Sequence, residues 1–61
     1  MAELWIRYRG RLVIGQVEFD SEHDIVTVRT AKGERSTQVG GMTPDGMARM
    51  LLHELVREGK A

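Results

Sequence analysis

Leu4-Trp5-Ile6-Arg7-Tyr8-Arg9-Gly10-Arg11-Leu12-Val13-Ile14-Gly15-Gln16-Val17 is the stretch whose reading decides the fold. Apolar residues alternate with polar or exposed-type residues on both sides of Gly10, the period-two signature of strands with one buried face. Arg9-Gly10-Arg11-Leu12 reads as a two-residue hairpin, with Gly10 supplying the positive φ that a type II′ turn needs at its first central position. That register sets Tyr8 opposite Val13, Ile6 opposite Gly15 and Leu4 opposite Val17, all on one face.

Two further turns extend the pattern. Ser21-Glu22-His23-Asp24 is a polar connection whose closure pairs Phe19 with Val26 and Val17 with Val28. Lys32-Gly33 is a third turn signal, which would bring Val39 opposite Val26. The expected inner face is therefore Leu4, Ile6, Tyr8, Val13, Val17, Phe19, Val26, Val28 and Val39. Gly15 lies among them and is expected to admit a close neighbour or absorb sheet twist.

After Gly40-Gly41, a flexible joint, the period changes. Thr43-Pro44-Asp45 reads as N-cap, first helical residue and an acid in the first turn, where the helix dipole favours negative charge. Met42 and Met47 stand at the spacing of a hydrophobic staple. Met47, Ala48, Leu51, Leu52, Leu55 and Val56 form a broad apolar stripe at helical spacing, and Gly59 is placed to stop the helix. Gly46 weakens the first turn by about 1 kcal/mol relative to Ala. The expected architecture is α+β: an antiparallel meander of three or four strands, with residues 35–39 as the fourth, packed on one face by a single C-terminal helix (ββββα or βββα). Residues 1–61 are read as one small domain, with no internal repeat or linker.

Composition narrows the function classes. A chain of 61 residues sits near the lower limit for folding without staples, and it has no Cys to supply a disulfide or thiolate metal site. Self-association would add burial that so small a core lacks. Nine basic and nine acidic residues cancel, whereas a general nucleic-acid binder carries excess positive charge. No apolar run approaches the ~20 residues of a membrane span, and the first residues lack the pattern of a signal peptide. The expectation is a soluble, cytoplasmic protein.

No catalytic or metal motif emerges. Nucleophilic catalysis needs a hydroxyl or thiol beside an oriented base. The two histidines, His23 in a loop and His53 on a charged helix face, supply no such setting, so no enzymatic activity is expected. Asp20, Glu22, His23 and Asp24 invite comparison with a calcium loop, but the sixth and twelfth positions counted from Asp20 are Ile25 and Ala31 instead of Gly and an acid. Gly40-Gly41-Met42-Thr43 before a helix would suit an anion, yet no P-loop Lys follows and Asp45 would repel a phosphate. No cofactor, metal or small-molecule substrate is expected.

The informative surface is the face turned away from the helix. Alternation places Trp5, Arg7 and Arg9 there, with Leu12, Ile14, Gln16 and Glu18 beside them and Thr27, Arg29, Ser36 and Gln38 beyond. One helix cannot cover both faces of a sheet. Trp5, Leu12 and Ile14, fringed by Arg7, Arg9 and Arg29, therefore form the candidate partner-binding residues, since Trp and Arg are enriched at interface hot spots. A protein partner or a second copy is the preferred occupant, and nucleic acid on the Arg and Trp side chains is the alternative. Three-stranded sheets with a C-terminal helix read the major groove in integrase arm-binding and plant AP2-type domains; the likeness is one of topology, without a shared motif. An ordinary solvated face, with Trp5 folded over its neighbours, explains the same residues. Met50, outside the main helical stripe, is either edge packing or a second contact point.

Overall fold

The computed structural model describes residues 2–61. Four strands follow in order, β1 (Ala2–Tyr8), β2 (Arg11–Asp20), β3 (Ile25–Thr30) and β4 (Gly33–Gln38), and one helix, α1 (Pro44–Arg57), closes the sequence. The strands form a single antiparallel sheet in the order β1-β2-β3-β4, and α1 covers one face. The four-strand form of the expected meander is the one adopted.

Two registers differ from expectation, each by two residues. Arg9 and Gly10 form the first turn, with φ of +52° and +79°, and Tyr8 faces Arg11. Positive φ at both central residues is the type I′ geometry, whose twist matches that of the flanking strands. The register thus sets Ile6 against Val13 and Leu4 against Gly15. Likewise Thr30 pairs with Gly33, so Ala31-Lys32 is the turn, Val26 faces Thr37, and Val39 donates its N–H to the Asp24 carbonyl instead of facing Val26. The Thr30 hydroxyl holds this turn by accepting from the N–H groups of Lys32 and Gly33. The middle hairpin has the expected register, Phe19 with Val26 and Val17 with Val28. A slip of two returns each strand residue to its own face, so the inner and outer sets survive both corrections, except that Arg9 moves from the outer row into the turn.

The core lies between the sheet and α1. Ile6, Val13, Val26, Val28 and Val39 are buried against Ala48, Leu51, Leu52, Leu55 and Val56, and Leu4, Tyr8, Val17 and Met47 pack around them. Phe19 departs from expectation. It stands on the inner face but remains 45% exposed, lying past Val17, where the described β1–β2 pairing ends, with a strand neighbour only on the β3 side. At Gly15 a Cβ would lie 3.0 Å from both Leu52 Cδ1 and Val28 Cγ1, so the helix approaches the sheet where a side chain is missing.

Both ends of α1 are satisfied as the sequence suggests. Thr43 Oγ1 accepts from the Gly46 N–H at 3.1 Å. At the other end Gly59, with φ +77°, donates to Val56, and Lys60 donates to Leu55, the paired bonds of a Schellman motif. The chain then returns to the sheet. Thr30 Oγ1 donates to the Lys60 carbonyl, and Arg11 Nη2 donates to the Ala61 oxygen at 2.9 Å.

Candidate functional site

The pairing of β1 with β2 positions the helix-free surface. Trp5 lies directly across from Ile14, and Arg7 across from Leu12. Trp5 is 57% exposed, Leu12 49% and Ile14 44%, which makes a compact apolar patch at the β1–β2 corner. The β3 ladder begins only at Gln16, so no third strand flanks the patch on the β2 side. Its position is thus a consequence of unequal strand lengths.

Next along the sheet comes a polar row running Glu3, Gln16, Arg29, Glu34 across all four strands. Glu3 accepts from Trp5 Nε1 at 2.9 Å and from Gln16 Nε2 at 3.2 Å, and these two hydrogen bonds hold its carboxyl below the ordinary range. The indole is therefore tethered by its N–H while its ring stays open to solvent. Arg29 donates Nε to Glu34 and Nη1 to Glu18, each at 2.7 Å, which raises its already high pKa. Thr27 and Ser36 hydroxyls bond each other at 2.7 Å in the row beyond.

The six residues expected to meet a partner therefore fall into three groups. Trp5, Leu12 and Ile14 are contiguous and exposed, with Arg7 on their border. Arg9 leaves the outer row: it is a turn residue, and its guanidinium lies 5.5 Å from the centre of the Tyr8 ring, which in turn meets His53 of α1 edge-on. Arg29 is on the face, but its charge is already paired with two carboxylates through Nε and Nη1. Arg7 has no acidic partner among the described residues. Sequence reading missed these ion pairs because each joins residues from different strands.

The remaining polar constellations are structural in geometry. Asp20 Oδ1 accepts from the backbone of Glu22 and His23, and Oδ2 lies 2.8 Å from His23 Nδ1. Those bonds lower the Asp20 pKa, the His23 side chain contributing most. Asp20, Glu22 and His23 bring ligand-type atoms within 4.8 Å of one another, but all three are solvent-exposed. On the inner face Arg35 reaches the helix, donating to Glu54 at 3.0 Å and to Glu58 at 2.5 Å. Met50 is exposed on α1. Among the described residues no cavity opens, and no helix is long and apolar enough to cross a membrane. Comparison of the chain with protein-family models, curated proteins and solved structures finds no match.

Proposed function

We propose that this domain acts by binding, and that the helix-free face takes a protein surface, another protein or a second copy, at Trp5, Ile14 and Leu12. The observation that carries this reading is the exposed cross-strand pair Trp5–Ile14 with Leu12 beside it, in a domain whose core is otherwise under the helix. A tryptophan with its N–H already bonded to Glu3 offers an apolar ring at little further cost in ordering. Charge favours protein over nucleic acid. The face carries Arg7 and Arg29 against Glu3, Glu18 and Glu34, and Arg29 is held by two of those acids. A phosphate at Arg29 would meet the negative charge of those carboxylates, whereas a protein partner can use the pairs as a polar rim.

Trp5→Ala combined with Ile14→Ser tests the proposal. The double variant should keep the far-UV circular dichroism of the parent, because neither side chain is in the core, while losing self-assembly or capture of the partner. An unchanged sedimentation profile together with unchanged capture would refute it. A mobility shift with pooled duplex and single-stranded probes that fades steeply with salt would instead assign the face to nucleic acid.

A further inference from the structure

The two open edges of the sheet are built differently. On β4 the inner-face Arg35 points under the helix to Glu54 and Glu58, an inward-facing charge that disfavours addition of another strand. β1 has no such device. Ala-Glu-Leu-Trp-Ile-Arg-Tyr contains no proline or lysine and pairs rung for rung with β2 without a bulge.

Its open hydrogen-bonding groups are in a definite phase. Tyr8 and Arg11 close a two-residue loop, so the alternation of an antiparallel ladder turns the N–H and C=O of Ala2, Leu4, Ile6 and Tyr8 toward β2. Those of Glu3, Trp5 and Arg7 then face the open edge. Laid antiparallel against itself about Trp5, this strand is self-complementary. Glu3 meets Arg7 of a second copy, Trp5 meets Trp5, and Arg7 meets Glu3, each pair able to exchange two N–H···O=C bonds. On the inner face Leu4 meets Ile6. The same operation on β4 about Ser36 opposes Glu34 to Gln38 and pairs no opposite charges.

We propose that two copies of this domain join through β1, in the register centred on Trp5, to form one continuous eight-stranded sheet across a two-fold axis. The cross-copy Glu3–Arg7 pairs fix the register: Arg7 has no acidic partner within the described residues, and the Glu3 carboxylate has acceptor capacity beyond its bonds to Trp5 and Gln16. The two apolar corners become neighbours on the helix-free face. The inference rests on the edge, and it holds whether or not that face takes another protein.

Sedimentation velocity and amide hydrogen exchange over a concentration series test it. The expected result is a mass near twice 6.9 kDa, with slowed exchange of the Glu3, Trp5 and Arg7 amides as the dimer forms. Arg7→Glu should weaken dimerisation by about tenfold, since two attractive cross-strand pairs become repulsive. Glu3→Arg added to Arg7→Glu should restore it, a rescue that simple loss of folding would not give. Leu12→Ser with Ile14→Ser, which removes part of the face patch and leaves β1 intact, should leave the dimer in place. A monomer at all concentrations, an Arg7→Glu variant that dimerises like the parent, or dimerisation without protection of those amides would overturn the proposal. Loss of the dimer in the Leu12–Ile14 variant alone would overturn it in favour of face-to-face packing.

Discussion

Gly15→Ala is the sharpest test of how the helix sits on the sheet. The new methyl would lie 3.0 Å from Leu52 Cδ1 and 3.0 Å from Val28 Cγ1. Both neighbours are fully buried, and Val28 is β-branched on a central strand, so neither side chain has free space to enter. Overpacking of this kind costs about 1–3 kcal/mol. Gly15 has no positive φ, so alanine fits its backbone, and the smaller entropy of the unfolded chain returns about 0.4–1 kcal/mol. The net expectation is a loss of about 1–2 kcal/mol. For a domain of this length, with a total stability of about 3–9 kcal/mol, that is a large fraction. It corresponds to a drop in Tm of about 5–15 °C. Urea unfolding followed by circular dichroism, with the slope unchanged and the midpoint lowered, measures it directly. A variant as stable as the parent, or more stable, would mean that the helix does not press on Gly15 and that the proposed packing of α1 against β2 and β3 is wrong.

Two further outcomes follow from local geometry. Arg9→Asn should raise stability by about 0.5–1 kcal/mol, because Asn tolerates the positive φ that Arg9 adopts and Asn-Gly is the preferred type I′ pair; a destabilised variant would favour a turn built on Gly10-Arg11 or a larger role for the Arg9–Tyr8 contact. Acid should weaken the fold through Glu58, whose carboxyl is held below its usual value chiefly by the hydrogen bond from Arg35. A depressed folded-state pKa means that the unfolded chain binds more protons, so this stabilisation is present above the ordinary glutamate pKa and is lost as pH falls through the folded value. Arg35→Gln should flatten that dependence in denaturation midpoints measured across the carboxylate range, and curves that stay parallel to the parent's would exclude it.

The composition of each face was legible in the sequence, while the register of the first and third hairpins was not, and the two facts have one cause. Side chains alternate with a period of two, so any register displaced by two residues sorts Leu4, Ile6 and Val13 to the same side. Alternation alone cannot choose between Gly10-Arg11 and Arg9-Gly10 as the turn. The choice depends on bringing Ile6 against Val13 beneath the helix and Leu4 beside the gap at Gly15, a comparison among three elements. Phe19 shows the same limit: its parity is right, but its exposure goes with its place beyond the described β1–β2 pairing, which ends at Val17.

For the candidate surface, alternation placed Trp5, Leu12 and Ile14 outward, and one amphipathic helix implied that something apolar would remain uncovered. Which arginines are free was a tertiary question. Arg7, Arg9 and Arg29 look alike in sequence, yet one stands beside the patch, one leans on Tyr8 from the turn, and one is charge-paired with Glu18 and Glu34 from two neighbouring strands. The sequence by itself determined the element types, the helix caps at Thr43 and Gly59 and the two-sided character of the sheet, because capping and alternation are interactions between near neighbours. Only the tertiary structure decided the register of the first and third hairpins, the ion pairs and the difference between the β1 and β4 edges, because each depends on residues that chain folding alone brings together.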